Sequence, residues 1–355
     1  MNKNHLITII LALSCELTSL TLQAQNISRV MKRSFNIEKA GLLQSKLTQQ
    51  EAKGITQLTL SGRINARDFR LMRDSLLRLE VLDLSSATIS SMAGKGGTTD
   101  ESFIIYVKNT IPEYAFCTEM NGILQGKQTL REVWLPNATI NIDKNAFANC
   151  PNLKLIVIRK KTAPNLMPGA LNDSLTAIFV PLGCRDEYRN HKGWAEFNIM
   201  ESTPIRCEVH LNSPGTLGDE LLKMGNQPSD VNYLTITGRM DENDLKLVRA
   251  YMPKLVGINL AGTTVKFLPD YLFSQKKFLM EVILPDNLER IGQYAFSGCA
   301  RLNGTIVIPP QVTEIGEGAF LDCNRLRFIK ITGKKLVSIG DNLFRSNDNR
   351  IKYIH

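Results

Sequence analysis

Histidine is scarce in this 355-residue chain, and signatures of catalytic sites are missing from it. Only His191, His210 and His355 follow residue 25, and none stands at metal-ligand spacing from another histidine or a cysteine pair. No G-x-S-x-G, G-x-x-x-x-G-K-[ST] or C-x-x-C pattern occurs. Cys184 and His191 would permit a Cys–His site, but we expect the segment that holds them to be structural. The sequence therefore predicts a protein that is not an enzyme and requires no cofactor and no metal.

Apolar runs long enough to cross a bilayer are also missing, because such a helix needs ~20 residues. The N-terminal stretch LITIILALS (6–14) is shorter and follows Lys3 and His5, as in a signal segment. Two interpretations of its processing remain open: cleavage after Ala24, which removes residues 1–24, or a lipobox that leaves Cys15 lipidated. We expect a protein that is secreted or associated with the cell surface or outer membrane, held to a membrane only through a lipid on Cys15.

Aromatic residues are few, at 7%, and are not interleaved with the basic residues that give the formal net charge of +9. Short basic clusters such as Arg159-Lys160-Lys161 favour solvated turns, with an acidic polymer such as a polyanionic glycan as the alternative partner. Nucleic acid is not an expected partner of an exported protein.

A 24-residue repeat is the main positive signal. IGQYAFSGC (291–299), IGEGAFLDC (315–323) and IGDNLFRSN (339–347) recur at this step, with short apolar strands between them. Similar strands run through the first half, for example LEVLDL (79–84) and LREVWL (130–135). Strands this far apart do not form hairpins, so each coil is expected to stack in parallel on its neighbour. We predict an α/β repeat fold, a solenoid of parallel β-strands with one strand per coil.

The two halves also align as modules. SGRINARDF (61–69) matches TGRMDENDL (237–245) 176 residues later, and each predicts a strand, a turn and a helix N-capped by Asn65 or Asp241. IPEYAF (111–116) matches LPDYLF (268–273) at an offset of 157, which places a 19-residue insertion within 93–110. We predict module one at 26–200, with insertion 93–110 and a C-terminal cap. Module two, at 204–355, begins with a strand at 205–211.

The unit C-x-x-L-x-x-I-x-[IL]-P-x-x-[LV]-x-x-I-G-x-x-A-F runs from Cys299 to Phe320, with one extra residue between Leu302 and Ile306. It resembles the BspA-like leucine-rich repeat of bacterial surface proteins. DLSSATI (83–89) and YRNHKGWAEFNI (188–199) resemble module ends in exported proteins of gut anaerobic bacteria. The resemblance implies a secreted or surface protein of a family that is associated with adhesion to host matrix proteins, other bacteria or surfaces.

Positions that recur in every repeat predict the interior. Cys150, Cys299 and Cys323 stand three residues after the A-F dipeptide, where we expect a buried ladder of small apolar groups. Six cysteines follow Cys15, and an even count in an exported protein favours disulfides, so a bond between Cys299 and Cys323 stays open. The phenylalanines of the repeat are expected to stack in the core: Phe116, Phe147, Phe273, Phe296, Phe320 and Phe344.

Strand positions that point away from this core are polar in most coils. In the later coils of module one they become Trp134, Leu155, Val157 and Phe179, a predicted apolar patch and candidate binding site. Module two shows a weaker counterpart, formed by Ile283, Val307 and Phe328. Three interpretations remain open: a surface for a partner, packing between modules, or a covering role for insertion 93–110 through its apolar run FIIYV (103–107).

The ends of the modules differ. Tyr188, Trp194, Phe197 and Ile199 are suited to closing module one, and module two has no equivalent. We expect truncation, end-to-end self-association through the uncapped C-terminus, or fraying after about residue 345.

These features favour a non-enzymatic extracellular binding or adhesion scaffold that presents a curved β-sheet surface to a protein partner. The alternative is a glycan-capturing accessory lipoprotein of the cell envelope, with an aromatic platform at Trp134 and Phe179 and a lipid on Cys15. An enzyme with an unrecognised site is the third interpretation.

Overall fold

The computed structural model of the chain describes residues 30–101, 103–171, 176–333, 338–343 and 352–354. The predicted signal segment 1–24, with Cys15, lies outside the described residues, and so does Phe344. The described chain divides into two compact units between Glu196 and Phe197.

Up to Glu201, the described chain consists mainly of short strands. In chain order, the strands up to residue 201 are β1 (Lys32–Ile37), β2 (Gln57–Ile64), β3 (Val81–Ile89), β4 (Met92–Ala93), β5 (Ile105–Tyr106), β6 (Thr110–Ile111), β7 (Cys117–Met120), β8 (Ile123–Gly126), β9 (Glu132–Trp134), β10 (Asn141–Ile142), β11 (Leu155–Val157), β12 (Asn165–Leu166), β13 (Ala177–Val180) and β14 (Asn198–Glu201). The helices are α1 (Gln49–Gly54), α2 (Ala66–Asp74) and α3 (Arg185–Asn190), with a 3-10 helix at Leu43–Lys46.

Parallel pairing dominates these strands. A seven-stranded sheet has the order β1-β2-β3-β9-β11-β13-β14, and its neighbours from β1 to β13 pair in parallel. A three-stranded parallel sheet of β12, β10 and β6 runs through the same repeats. Two antiparallel hairpins, β4–β5 and β7–β8, interrupt the pattern. The parallel strands predicted from the repeat spacing are confirmed.

The second unit repeats this arrangement. Its strands are β15 (Ile205–Leu211), β16 (Val231–Gly238), β17 (Gly257–Asn259), β18 (Phe267–Leu268), β19 (Glu281–Ile283), β20 (Arg290–Ile291), β21 (Gly304–Ile308), β22 (Glu314–Ile315), β23 (Leu326–Ile331), β24 (Ser338–Ile339) and β25 (Lys352–Ile354). Its helices are α4 (Leu217–Lys223) and α5 (Glu242–Tyr251), with a 3-10 helix at Pro228–Asp230. Strand β15 lies at the position predicted for the first strand of module two.

The strands of the second unit form three parallel sheets, with the strand orders β15-β16-β17-β19, β21-β23-β25 and β18-β20-β22-β24. In the last of them Ile315 pairs with Ile291 on one side and with Ile339 on the other. Successive isoleucines of this set are 24 residues apart in the sequence, so one sequence repeat leads from one strand to the next strand of the sheet.

The predicted helix caps are present in both units. The Asn65 side chain accepts a hydrogen bond from the backbone of Arg67, and the Asp68 carboxylate accepts one from the Asn65 backbone in return. Asp241 and Asp244 form the same capping box at the start of α5. The caps satisfy backbone N–H groups that a helix start otherwise leaves without partners.

Asp68 and Asp244 do more than the sequence predicts. The Asp68 carboxylate also accepts hydrogen bonds from the backbone of Gly41 at 2.7 Å and Leu43 at 2.9 Å. Asp244 likewise binds the backbone of Gly215 and Leu217, both at 2.9 Å. Burial raises the pKa of Asp68 above its ordinary value, against the lowering effect of these backbone donors. Each carboxylate therefore ties the start of its helix to the segment that follows an earlier strand, β1 for Asp68 and β15 for Asp244.

The residues expected to close module one are buried: Tyr188, Trp194, Phe197 and Ile199. The Tyr188 and Trp194 rings meet edge to face at 5.5 Å, and the Trp194 indole N–H donates to the backbone carbonyl of Pro164. At the other end of the chain, β25 pairs in parallel with β23, while residues 344–351 and 355 lie outside the described residues.

Candidate binding surfaces and the repeat interior that supports them

Stacked phenylalanines fill the interior of each unit. The rings of Phe273 and Phe296 lie 5.1 Å apart, and those of Phe296 and Phe320 lie 5.1 Å apart and nearly parallel. Phe116 and Phe147 stack in the first unit at 5.3 Å. All five side chains are fully buried, so the predicted core stack is confirmed for the described residues.

A row of thiols runs beside the phenylalanines. Cys299 donates from Sγ to the backbone carbonyl of Phe273 at 3.0 Å, and Cys323 donates to that of Phe296 at 3.1 Å. Cys150 makes the same contact with the carbonyl of Phe116 at 3.4 Å. Burial raises the pKa of the Cys150 and Cys299 thiols to about 12, which keeps them protonated as donors. All six cysteines from Cys117 to Cys323 are free, and Cys150, Cys299 and Cys323 serve as donors between neighbouring repeats and not as disulfide partners.

In the repeat that follows the long helix of each unit, a lysine stands where Cys150, Cys299 and Cys323 stand in other repeats. The two lysines are Lys127 and Lys276. The backbone N–H of Lys276 donates to the carbonyl of Phe273, just as that of Cys299 donates to Phe296. Its ammonium donates to the carbonyls of Arg249 at 3.3 Å and Met252 at 2.9 Å, at the C-terminal end of α5. Helix C-termini leave carbonyls without partners and favour cations. Lys276 therefore donates hydrogen bonds to carbonyls at the end of a helix. At the same position of the later repeats, a cysteine thiol donates to the carbonyl of a phenylalanine.

Lys127 does the same for α2. Its ammonium donates to the carbonyls of Arg73 at 2.9 Å and Leu76 at 2.8 Å. Lys127 is 9% exposed and Lys276 is 6% exposed. Burial lowers the pKa of both lysines to about 8. Sequence reasoning missed this pair, although both stand three residues before the first leucine of a strand, as the cysteines do.

The four residues of the candidate patch in the first unit lie together, but most of them are closed to solvent. Trp134 pairs with Val157, and Val157 pairs with Phe179, across neighbouring strands. Leu155, Val157 and Phe179 are 1%, 3% and 0% exposed, so the prediction of an open patch is wrong for these three. Trp134 is half-buried, and its ring carries the Arg159 guanidinium at 5.0 Å from the centroid. Its indole N–H donates to the Glu132 carboxylate.

Three apolar side chains of insertion 93–110 do not take the covering role considered for it. Its apolar side chains Phe103, Ile105 and Val107 are 65%, 66% and 57% exposed, which excludes their use as a cover. Arginines of helix α2 hold its backbone instead: Arg70 donates to the carbonyl of Gly97, and Arg73 donates to that of Thr98. These hydrogen bonds from the two guanidinium groups to backbone carbonyls of the glycine-rich loop hold the insertion against the helix.

The second unit exposes the apolar strand residues that the first unit buries. Ile283 on β19 and Val307 on β21 are 43% and 48% exposed, and these strands are neighbours. Phe328, on β23 beside β21, is half-buried. At the opposite edge of the unit, the Arg206 guanidinium lies 4.4 Å from the Tyr233 ring centroid. The weaker counterpart predicted for module two is therefore the more accessible of the two apolar surfaces.

Comparison with known families decides what these repeats are. A family model described as BspA type leucine rich repeat region matches six copies, at residues 108–181 and 262–355. Both segments are similar to BspA-type leucine-rich repeats. The resemblance drawn from the repeat unit is confirmed, and the ladders of phenylalanine and cysteine are the interior of these leucine-rich repeats.

Solved structures give weaker similarities. A leucine-rich repeat protein from Bacteroides ovatus is 14% identical with a TM-score of 0.29, covering 86% of this chain and 85% of that one. The pneumococcal vaccine antigen PcpA is 12% identical with a TM-score of 0.20, covering 85% and 69%. A leucine rich cell surface protein from Faecalibacterium prausnitzii is 17% identical with a TM-score of 0.15, covering 72% and 74%. No curated protein matches the chain. The repeat assignment rests on the family match, because these TM-scores are too low to support an argument.

The leucine-rich repeats of the first unit hold a second insertion that sequence reasoning missed. Residues 117–126 form the β7–β8 hairpin between Phe116 and Lys127, where the second unit has only Ser274 and Gln275. The signal was available: the offset between the halves falls from 157 at IPEYAF to 149 at LREVWL, which matches LMEVIL at 279–284.

The described residues give no sign of a membrane-spanning helix or a metal site. No helix in the described part of the chain is long and apolar enough to cross a bilayer. No group of three or more His, Cys, Asp or Glu side chains in that part could hold a metal ion. Cys184 and His191 flank α3, and the described contact of the Cys184 thiol is with the carbonyl of Leu182.

Proposed function

We propose that the chain is an exported, non-enzymatic binding scaffold whose leucine-rich repeats form two tandem solenoid modules, 26–200 and 204–355. It acts at the cell surface or in the medium, and it binds an extracellular protein partner through the strand face of its repeats. The match of six BspA-type repeats supports the scaffold. The apolar N-terminal stretch at residues 6–14 supports export.

The exposed apolar pair Ile283 and Val307 carries the proposal for the second module. The interior of the repeats is filled by phenylalanines and thiols that hold neighbouring repeats together. Strand residues that point away from this interior are free to vary without loss of the core. Large apolar side chains exposed together mark an interaction surface more often than isolated ones do. Trp134, half-buried beside Arg159, is the corresponding residue of the first module.

The test is capture by an array of extracellular matrix proteins and glycans, using the chain without residues 1–24. We expect capture of a protein ligand, and the double variant Ile283→Ser/Val307→Ser should weaken it at least tenfold with an unchanged melting temperature. Leu222→Ser is the matched control, because Leu222 is 50% exposed on helix α4 and away from the strands. Capture that survives the double variant, or is lost equally with Leu222→Ser, would contradict the proposal.

The glycan-capturing lipoprotein receives less support from the strand face. Its aromatic platform needs both Trp134 and Phe179 at the surface, and Phe179 is fully buried. Whether Cys15 carries a lipid is a separate question, which incorporation of a labelled fatty acid into the chain and into Cys15→Ala would answer.

A further inference from the structure

A cavity of about 310 Å³ lies between the β7–β8 hairpin and the C-terminal end of helix α2. The polar side chains that line it include Asp74, Thr118, Gln125, Lys127, Gln128 and Thr129. Hairpin residues contribute Thr118 and Gln125, so this wall of the cavity exists only because residues 117–126 are inserted into the repeat. In the second unit, Ser274 and Gln275 take the place of the hairpin.

The Lys127 ammonium provides a fixed donor at this cavity. It is nine-tenths buried, and two of its three N–H groups bind the carbonyls of Arg73 and Leu76. The third makes no hydrogen bond with the described residues. A buried ammonium with an unused donor is costly unless an oxygen completes its hydrogen bonds. The cavity is the place from which a ligand oxygen could do so.

The Asp74 carboxylate provides a fixed acceptor. The guanidinium of Arg73 holds both of its oxygens, through Nε at 2.6 Å and Nη2 at 2.9 Å. Arg73 is itself anchored, because Nη1 donates to the carbonyls of Thr98 and Tyr114. The Asp74 side chain remains 40% exposed, so each oxygen keeps accepting capacity toward solvent. Two anchored groups of this kind lose little conformational freedom when a ligand arrives.

Two amides complete the set. The Gln128 side chain donates to the carbonyl of Gly126, which orients it and leaves its oxygen and its second N–H for other partners. The Gln125 amide makes no hydrogen bond with the described residues. Donors and acceptors therefore both line the cavity, and the charge of Asp74 is offset by its ion pair with Arg73, which also lines the cavity.

We propose that this cavity is a binding site for a neutral saccharide. A vicinal diol both accepts and donates hydrogen bonds, which matches an ammonium and a carboxylate that line one cavity. A carboxylate ligand would meet repulsion from Asp74, and a cationic ligand would meet repulsion from Lys127 and Arg73. The volume lies at the lower end of the ~300–1,000 Å³ of small-molecule sites, which suits one or two sugar rings. This site goes beyond the proposed function, because it lies on an insertion and not on the strand face.

The test is saturation-transfer NMR with the chain without residues 1–24 and four neutral sugars: D-glucose, D-galactose, D-mannose and N-acetyl-D-glucosamine. D-Glucuronate, a negatively charged sugar, is measured for comparison with the four neutral sugars. We expect transfer to at least one neutral sugar, with a dissociation constant on the order of 1 mM, as suits a small ligand held by a few hydrogen bonds. Gln125→Ala should weaken binding about fivefold, and Asp74→Asn with Gln125→Ala should abolish it. Gln275→Ala, in the second unit, is the matched control and should leave binding unchanged.

A second variant removes the whole wall of the cavity. Replacing residues 117–126 by Ser-Gln copies the natural link between Phe273 and Lys276, so we expect a folded chain that binds no sugar. The proposal is overturned if no neutral sugar shows transfer, if glucuronate binds as tightly as glucose, or if either hairpin variant binds like the natural chain. Capture on the protein array reports on the strand face and is scored separately.

Discussion

Replacing Lys276 by methionine tests how the repeats join the long helix. Methionine fills a similar volume but leaves the carbonyls of Arg249 and Met252 without the donor they have in the natural chain. A buried acceptor left unsatisfied costs ~1–3 kcal/mol, so we expect Lys276→Met to lose roughly that amount at high pH, where the natural lysine is neutral. At pH 7 the loss is smaller, because methionine also avoids the cost of burying a charge. Lys277 is exposed and adjacent, and Lys277→Met should stay within about 0.5 kcal/mol of the natural chain.

The pH dependence of this loss has a defined sign. Burial lowers the pKa of Lys276 from 10.5 to about 8. Below pH 8 both states carry the proton, and the natural chain bears the full cost of burying the charge. Between pH 8 and 10.5 the unfolded state binds more protons, so stability rises with pH in this window. The neutral amine still donates to both carbonyls.

The expected magnitude follows from that pKa difference. At 1.36 kcal/mol per pH unit, the full effect is about 3 kcal/mol, and between pH 7 and pH 10 it amounts to roughly 2.5 kcal/mol. Urea unfolding of the natural chain and of Lys276→Met, followed by circular dichroism at both pH values, measures the difference. The stability gap between them should widen by about this amount as the pH rises. A gap that stays constant, or a Lys276→Met variant as stable as Lys277→Met at pH 10, would refute the reasoning.

Two further predictions concern other buried groups. Asp244→Ala removes one partner of the capping box and the hydrogen bonds to Gly215 and Leu217, so it should lower the free energy of unfolding in urea by about 3 kcal/mol. Glu242→Ala is the control, because Glu242 is exposed on the same turn, and it should lower that free energy by less than about 0.5 kcal/mol. Equal losses would show that the loop contacts contribute nothing. The six thiols from Cys117 to Cys323 should react with a thiol reagent only after denaturation, because all six are buried in the folded chain. Above pH 9, each of Cys150 and Cys299 should lower the free energy of unfolding by about 1.4 kcal/mol per pH unit. The reason is that the unfolded thiol ionises there, while burial holds the pKa of the folded thiol at about 12. Rapid labelling of the native chain would contradict their burial.

Periodicity and turn chemistry were enough to predict much of the fold. The strand at Ile205–Leu211 and the caps at Asn65 and Asp241 are local features, and the structure has them where the sequence places them. The phenylalanine stack follows from one residue type recurring at the repeat period. Such features depend on residues close in sequence or on a position that every repeat shares.

The failures of prediction share a physical cause. Alternation along β11 and β13 shows which side chains point away from the core, but not what lies over them, so Leu155 and Phe179 could not be recognised as buried. Lys127 and Lys276 were overlooked because a pattern search for apolar residues passes over a charge that is satisfied by helix-terminal carbonyls. Insertion 93–110 contains an apolar run, yet its position is set by arginines on helix α2.

The repeat fold requires side chains about 24 residues apart to stack in register, and a double-mutant cycle measures this stacking most directly. Phe296 and Phe320 stack at 5.1 Å, so Phe296→Leu and Phe320→Leu should show a coupling energy of ~0.5–1.5 kcal/mol in urea unfolding. Phe273 and Phe320 stand two repeats apart with Phe296 between them, and their coupling should be near zero. Absent coupling between Phe296 and Phe320, or equal coupling in both pairs, would contradict the stacked repeat.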